Sequence, residues 1–362
     1  MKKTKLYNVH KGLSAKIIEY AGFEMPVQYS SIIAEHKAVR NSVGVFDVSH
    51  MGEIFISGDK ALDFVQQITT NDASRLFPGR VQYSAMCYPD AGIVDDLLVY
   101  RLAENKFMLV SNAANTDKDF KWMNENNKVG AKIENLSDEY SLLAVQGPDS
   151  KRVIKKLFDA DLDKLGYYHF IIIKIDGIEM ILSRTGYTGE LGYELYFKGD
   201  EKQAERLWGK ILEVGREFNI LPIGLAARDS LRLEKGYCLY GNDIDQTTNP
   251  LEAGLGWITK LDKGNFIGKE AILRIKSKGL KRKLSGIIST EKVFPRQGYE
   301  IDNEEKKIGI VTSGTVSPVL EKPIALGYLE AKYSAPGTKV KISIREKKVP
   351  CEVVKLPFVV NN

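Results

Sequence analysis

The sequence is poor in the residues that build metal and disulfide sites. It has three cysteines and four histidines in 362 residues, with no His-Glu-x-x-His motif and no closely spaced cysteine pair. A metal site is therefore not expected. The cysteines Cys87, Cys238 and Cys351 are odd in number and far apart. Such spacing suits reduced thiols, so we expect a cytoplasmic protein.

Long apolar segments and phosphate-binding glycine loops are also missing. The longest apolar run, at 169–174, is far too short to span a bilayer, and no signal-peptide core follows the lysines at positions 2, 3 and 5. There is no Gly-x-Gly-x-x-Gly or Gly-x-Ser-x-Gly motif, and 264–269 has one residue too few for a phosphate loop. We therefore expect no membrane association, no nucleotide-loop enzyme and no obvious hydrolase.

The excess of positive charge is small and partly concentrated in one segment. The net charge is +5, which favours an acidic protein partner and is too low to indicate nucleic-acid binding. Seven of the 15 residues from Lys269 to Lys283 are Lys or Arg, with a single Glu. This segment has two interpretations: a solvated face, or a docking surface for an acidic partner.

The pattern of elements predicts an α+β protein. The length indicates two or three domains. Helical spacing occurs at 31–40, 149–158 and 201–218. Strand-like runs alternate with these irregularly, at 52–57, 93–101, 106–111, 140–146 and 170–175. Mixing without a βαβ repeat favours largely antiparallel sheets, and the short strands beyond residue 275 predict a small all-β barrel or sandwich.

A glycine-rich segment from Gly186 to Glu194 combines carboxylates with aromatic rings. It reads Gly-Tyr-Thr-Gly-Glu-Leu-Gly-Tyr-Glu and follows an apolar run. Glycines allow a tight turn or a close approach to a ligand. A carboxylate beside a stackable ring suits a flat heterocycle with adjacent N–H donors, such as a pterin. A solvated hairpin turn is the alternative.

Two adjacent acids occupy an otherwise apolar strand pattern. Because strand side chains alternate, Asp95 and Asp96 are expected on opposite faces, each in apolar surroundings where an unpaired charge is costly. A local ion pair or turn explains one of them. For Asp96 a catalytic role is favoured over a structural one.

Further candidates are arginines and aromatic residues at single positions. Arg228 and Arg232 lie one turn apart on a predicted helix at 224–234, where they either pair with Asp229 or Glu234 or reach a ligand. Weaker candidates, each also explicable as core or turn residues, are Met51, Tyr83, Asn112, Tyr167, Tyr168, Tyr237 and Tyr240.

Taken together, these segments resemble the T-protein (aminomethyltransferase) family of the glycine cleavage system. The matching segments run in family order over nearly the whole chain, and jointly they are specific. They are 21–26, 46–53, 70–72, 92–97, Gln146-Gly147-Pro148, 184–190, 228–243, 312–314 and 317–318.

The resemblance implies a fold and a reaction. The fold would be a three-domain cloverleaf around a central folate channel. Residues 1–50 and 138–274 would form a discontinuous folate-binding core domain, 51–137 an α+β domain that carries Asp95 and Asp96, and 275–362 a C-terminal β-barrel. The enzyme would transfer an aminomethyl group from the lipoyl arm of H-protein to tetrahydrofolate, releasing ammonia and forming 5,10-methylenetetrahydrofolate.

The resemblance also implies residue roles. Asp96 would be catalytic, near the folate N5 and N10 atoms, and Glu194 would accept hydrogen bonds from the pterin. Arg228 would hold a polar edge of the cofactor. The remaining cofactor-binding residues would be Met51, Tyr83, Asn112, Tyr168, Tyr187 and Tyr237. Neither a metal nor a nicotinamide is implied.

Two alternative functions use the same scaffold, and one residue departs from the family pattern. The alternatives are a folate-dependent demethylase and a folate-binding iron–sulfur assembly factor. The assembly-factor group resembles Lys-Gly-Cys-Tyr-x-Gly-Gln, whereas residues 235–242 read Lys-Gly-Tyr-Cys-Leu-Tyr-Gly-Asn, which argues against it. Ala91 replaces the first glycine of a family Gly-Gly pair, a minor change if that residue needs no positive φ.

Overall fold

The structure is a computed structural model that describes residues 1–158, 161–345 and 347–360. The chain divides into two compact units. The first unit comprises residues 1–65, 73–82 and 97–229, and the second comprises 66–72, 83–96 and 230–362. None of the helices in these described ranges is long and apolar enough to cross a membrane.

The elements alternate between helix and strand without a regular repeat. The helices are α1 Tyr7–Gly12, α2 Ile32–Asn41, α3 Ala61–Ile68, α4 Thr116–Asn126, α5 Ser150–Leu157, α6 Glu201–Gly215, α7 Leu225–Glu234 and α8 Lys269–Lys278. Short 3₁₀ turns occur at Ala73–Arg75, Ala113–Asn115, Ser137–Glu139, Arg216–Phe218, Gly256–Ile258 and Ala331–Tyr333.

The strands form three open sheets and one barrel. They are β1 Lys2–Lys3, β2 Lys16–Tyr20, β3 Phe23–Gln28, β4 Gly44–Asp47, β5 Gly52–Ser57, β6 Val81–Cys87, β7 Ile93–Ala103, β8 Lys106–Ser111, β9 Lys132–Asn135, β10 Tyr140–Gln146, β11 Phe170–Ile175, β12 Ile178–Ser183, β13 Gly192–Lys198, β14 Leu221–Pro222, β15 Arg282–Ser289, β16 Glu300–Asp302, β17 Lys307–Val316, β18 Pro323–Glu330, β19 Lys339–Ile344 and β20 Lys347–Val354.

A six-stranded sheet forms the centre of the first unit. Its order is β11-β12-β13-β10-β4-β14, and all pairs are antiparallel except β14 with β4. Leu143 and Val145 of β10 and Leu195 of β13 belong to one buried apolar cluster with residues of α5 and α6. Because side chains alternate along a strand, the neighbours of Leu195 on β13, Glu194 and Tyr196, point to the opposite face. Core packing on one face thus decides where Glu194 is presented.

Helix α6, which covers this core, has a well-defined start. Asp200 Oδ1 accepts a hydrogen bond from the Gln203 backbone N–H, and the Asp200 backbone N–H donates one to Gln203 Oε1. This capping box satisfies backbone donors that the helix leaves free, a contribution of about 1 kcal/mol. Leu207 and Ile211 then lie one turn apart on the buried side.

Two further sheets include residues of the first unit. Strands β1, β3 and β2 form a small three-stranded sheet, and β6-β7-β8-β5-β9 form a five-stranded one. The boundary between the units falls within β6 and β7, so each of these strands contributes residues to both. Strand β7 carries Asp95 and Asp96.

The second unit contains a closed β-barrel. Its strands follow the order β15-β18-β17-β16-β19-β20 around a core of branched aliphatic residues that includes Ile301, Val311 and Leu329. The predicted C-terminal all-β domain is therefore confirmed as a barrel rather than a sandwich. The α+β class is also confirmed, whereas the three-domain division with its boundaries at 50, 137 and 274 stays a prediction.

The turn before the Asp95–Asp96 strand contains Ala91, which replaces a glycine of the family pattern. This replacement was expected to be minor only if the position needs no positive φ. Ala91 has φ +78°, in the left-handed region, and its methyl group is completely buried. The turn is closed by the Tyr88 N–H, which donates to the Gly92 carbonyl at 2.7 Å, and by the Ala91 N–H, which donates to the Tyr88 carbonyl. This position does need a positive φ, so alanine is strained here where glycine is not.

Candidate functional site

Glu194 is held by hydroxyl groups on the face of the central sheet opposite the core. It pairs in register with Ala144 on β10 and with Ser183 on β12. Its Oε2 atom accepts hydrogen bonds from Thr185 Oγ1 at 2.5 Å and from the Tyr196 hydroxyl at 3.0 Å. Within the described residues both hydrogen bonds go to Oε2. The half-buried carboxylate therefore keeps Oε1 as an acceptor for a ligand.

The surroundings of Glu194 also set its protonation. Burial raises the pKa of the Glu194 carboxyl, and the Thr185 hydroxyl, the Tyr196 hydroxyl and the Arg228 charge oppose this shift. The Tyr196 hydroxyl also lies 3.0 Å from that of Tyr100. Burial raises the pKa of both phenols, so they stay protonated as hydrogen-bond donors.

Arg228 lies on α7 in the first unit, beside the ring of Tyr187. Its guanidinium carbon is 4.6 Å from the ring centroid, a cation–π geometry. Among the described residues no carboxylate lies within ion-pair distance of Arg228, which is half-buried. The predicted structural pairing with Asp229 or Glu234 is not formed, and the guanidinium edge remains available for a polar ligand.

Three more predicted residues belong to the first unit, and all are half-buried. Met51 follows β4 in a turn closed by its N–H, which donates to the Val48 carbonyl. Asn112 follows β8, and its carbonyl accepts from the Asn115 N–H. Tyr168 has φ +58° and packs edge-on against Tyr167 at 4.5 Å between ring centroids. Their roles as cofactor-binding residues stay predictions.

Asp96 lies in the second unit with a tyrosine hydroxyl on its carboxylate. The Tyr83 hydroxyl donates to Asp96 Oδ2 at 2.8 Å. Asp95 is completely buried and Asp96 is half-buried, as alternation along β7 predicts. The Tyr83 ring lies 5.8 Å from that of Trp257, whose indole is 60% exposed. Asp96 is thus an oriented and accessible carboxylate.

Tyr237 lies in a segment fixed by a buried ion pair of the second unit. Arg232 pairs with Asp243 at 2.5 Å and donates to the Tyr237 carbonyl at 2.8 Å, and both charged side chains are buried. Thr312 of the barrel donates to the other Asp243 oxygen. Arg232, rather than Arg228, is therefore the structural arginine of this helix.

Some residues of these sites are absent from the sequence-based prediction. Tyr196 could have been found, because it lies two residues after Glu194 on the same strand face. Thr185 and Tyr100 carry no such signal, since their contacts depend on how distant segments of the chain pack together. His50 is also buried, and burial together with the Arg228 charge lowers its pKa to about 3, which keeps the imidazole neutral.

The metal-ligating and thiol groups form no cluster. Among the described residues no group of three or more His, Cys, Asp or Glu could hold a metal ion. All three cysteines are free and buried. Burial raises the pKa of the Cys87 and Cys238 thiols, and raises that of Cys351 to about 11.

Two models of one protein family match the chain, one after the other. Residues 6–263 match the GCVT N-terminal domain, and residues 282–359 match the glycine cleavage T-protein C-terminal barrel domain. These ranges include Glu194, Arg228 and Asp96. The barrel seen in the second unit corresponds to the second model.

Full-length relatives agree with these matches. The aminomethyltransferase of Halothermothrix orenii is 51% identical over 359 residues, which cover 99% of this chain and 100% of that protein. The aminomethyltransferase of Flavobacterium psychrophilum is 50% identical over 360 residues, 99% of each chain. The crystal structure of glycine cleavage system aminomethyltransferase T from Bartonella henselae superposes with a TM-score of 0.93 at 36% identity, covering 99% of this chain and 98% of that one.

The chain therefore belongs to the glycine cleavage T-protein family. The predictions of the family, of a tetrahydrofolate-dependent aminomethyltransferase and of tetrahydrofolate as co-substrate are confirmed. The alternatives, a demethylase and an iron–sulfur assembly factor, are not favoured by these relatives.

Proposed function

We propose that this chain transfers the aminomethyl carbon from the S-aminomethyl-lipoyl arm of H-protein to tetrahydrofolate. Ammonia leaves, and 5,10-methylenetetrahydrofolate and the dihydrolipoyl form of H-protein result. Membership of the T-protein family supports the reaction. The parts of this proposal that concern single residues rest on the geometry of Glu194, Arg228 and Asp96.

The arrangement at Glu194 is the observation that carries the proposal. Thr185 and Tyr196 hold one oxygen of the carboxylate, while the other remains an acceptor. Adjacent N–H donors at the edge of a pterin ring suit such a carboxylate. Arg228, placed against Tyr187, adds a donor for the polar edge of the same ligand. We assign Glu194 and Arg228 to folate binding.

Asp96 is assigned the catalytic role. The reaction forms a bond from a folate nitrogen to the aminomethyl carbon and releases ammonia, so positive charge and protons must be managed at that centre. A carboxylate oriented by the Tyr83 hydroxyl can position the attacking nitrogen and stabilise that charge. Tyr83 acts on the reaction through Asp96.

The partner and compartment are the less direct parts of the proposal. Lipoylated H-protein is the carrier that the reaction requires. The exposed cations of the segment 269–283, including Lys276, Lys278 and Lys283, are its proposed docking surface. Three free, buried cysteines suit a reducing compartment, and on this ground we propose the cytoplasm.

The decisive experiment supplies both substrates and follows both products. Purified protein is mixed with tetrahydrofolate and aminomethylated H-protein, and ammonia and methylenetetrahydrofolate are measured over time. We expect release in equal amounts, and none without folate. A reaction in which folate binds but neither product forms would contradict the proposal and return the demethylase and the assembly factor as alternatives.

A further inference from the structure

One buried side chain on the central sheet has contacts that the proposed function does not yet use. Gln146 is the last residue of β10 and is 1% exposed. Its Nε2 donates to the Thr185 carbonyl at 3.1 Å, and its Oε1 accepts from Thr188 Oγ1 at 3.0 Å. Both partners lie in the segment that joins β12 to β13, here called the 185–192 loop. The amide of Gln146 therefore bonds to this loop at two points.

The backbone of the loop also closes tightly around this amide. A Cβ atom at Gly186 would lie 2.0 Å from Gln146 Oε1, and one at Gly192 would lie 2.3 Å from Gln146 Cδ. Neither distance is compatible with a side chain at these positions. Two glycines of the loop are thus required by the presence of Gln146, in addition to any role in the flexibility of the segment.

An arginine from α2 also holds this loop. Arg40 donates to the Thr188 carbonyl at 2.6 Å and pairs with Glu190 Oε1 at 2.8 Å. The side chains of this pair are only 7% and 10% exposed. Two buried polar side chains, Gln146 and Arg40, therefore fix the loop, and burial strengthens each hydrogen bond relative to one in water.

The loop carries two residues that contact the groups assigned to folate binding. Thr185 donates to Glu194 Oε2, and Tyr187 lies against Arg228. We propose that Gln146 is a positioning residue for the folate-binding site: its amide sets the conformation of the 185–192 loop and thereby the placement of Thr185 and Tyr187. This inference rests on the proposed function. Gln146 itself is not assigned a contact with the substrate.

The test replaces the amide without shortening the side chain. Gln146→Met removes both hydrogen bonds, so we expect the dissociation constant for tetrahydrofolate to rise by about tenfold or more, while kcat at saturating folate stays within about threefold. The matched control is Val145→Ala on the same strand, whose side chain belongs to the core cluster instead. It should lower stability yet leave folate affinity within about twofold.

A folded Gln146→Met protein that binds folate as tightly as the wild type would overturn the inference. If that variant does not fold, Thr188→Ala removes the hydrogen bond to Gln146 Oε1, together with the one that Thr188 Oγ1 accepts from the Glu190 N–H. An unchanged folate affinity in Thr188→Ala would overturn the inference equally. Glu194→Gln distinguishes a failure of the assigned folate site from a failure of the role of Gln146. Normal folate binding by Glu194→Gln refutes the assigned binding site itself, whereas weak binding by Glu194→Gln with normal binding by Gln146→Met refutes only the role of Gln146.

Discussion

The two carboxylates assigned to the reaction, Glu194 and Asp96, are supported in different ways. Glu194 lies in the middle of an antiparallel sheet, and hydroxyls from Thr185 and Tyr196 both bind one of its oxygens. Asp96 lies near the start of a long strand, after a strained turn, and Tyr83 from the neighbouring strand binds it. The first arrangement leaves a fixed acceptor for a stable ligand. The second keeps an oriented charge accessible to a reacting group.

The largest effect is expected from a substitution of Asp96, which should lower turnover and leave folate binding nearly unchanged. Asp96→Asn keeps the size of the side chain and removes its charge, so we expect kcat to fall by about a thousandfold, within the usual range for a positioned acid or base. Folate affinity should change by less than about threefold, because the ligand is held by Glu194. Single-turnover kinetics and a folate titration measure the two quantities. Asp262→Asn, at an exposed carboxylate, is the control; turnover of Asp96→Asn near that of this control would make Asp96 structural.

A smaller effect is expected at the hydroxyl that orients Asp96. Tyr83→Phe deletes one hydrogen bond to a charged group, which corresponds to about a tenfold loss of kcat. The ring remains beside Trp257, so folate affinity should stay near the wild-type value. A loss confined to folate affinity would instead place Tyr83 among the binding residues, contrary to the comparison drawn above.

The hydrogen bond from Thr185 to Glu194 should affect the pH dependence of folate binding. Protonation of Glu194 removes the negative charge that strengthens the hydrogen bonds from the pterin N–H groups to Oε1, so folate binding should weaken as the pH falls through the raised pKa of Glu194. Thr185→Val removes a hydrogen bond that lowers this pKa, and the carboxyl should therefore protonate at a higher pH. Folate titrations between about pH 5 and 8 should show the loss beginning at a higher pH in the variant. Tyr83→Phe is the control, with an unshifted profile; an unshifted profile in Thr185→Val would contradict the assignment.

The smallest effect concerns the turn that precedes the Asp96 strand. A left-handed conformation costs a non-glycine residue about 1–2 kcal/mol, and the extra unfolded-state entropy of glycine offsets about 0.4–1 kcal/mol of that cost. Ala91→Gly should therefore raise the free energy of unfolding by about 0 to 1.6 kcal/mol, measured by denaturant unfolding. Ala85→Gly, at a buried position in β6, should lower it. A loss of stability in Ala91→Gly would show that the buried methyl group outweighs the strain.

Local patterns in the sequence were enough to predict several elements of the fold. The strands at 52–57, 106–111, 140–146 and 170–175 occur with the predicted bounds, because alternation and turn residues mark both of their ends. The helix predicted at 201–218 divides into α6 and a 3₁₀ turn, a change confined to its last residues. Short strands and frequent turns beyond residue 275 predicted an all-β barrel or sandwich, whereas closure into a barrel depends on pairings between distant segments that spacing alone does not determine.

The site was predictable only in part, for a related reason. Asp96 and Glu194 were prominent because charged residues in apolar strands are costly and need an explanation. The residues that support them, Thr185, Tyr100 and Gln146, are uncharged and reach the site through strand pairing and loop packing. Nothing in their local sequence distinguishes them from ordinary strand and loop residues. The structural role of Arg232 and the different setting of Arg228 likewise depend on contacts from other segments.

The burial of the three thiols has a consequence for selectivity in redox chemistry. The proposed reaction leaves a dithiol on the carrier arm, and such an arm is also encountered in its oxidised, cyclic disulfide form. Attack on a disulfide requires an accessible thiolate. Cys87, Cys238 and Cys351 are buried and their pKa values are raised, so they are protonated at neutral pH. We therefore expect these thiols to form no mixed disulfide with a sulfur-bearing carrier.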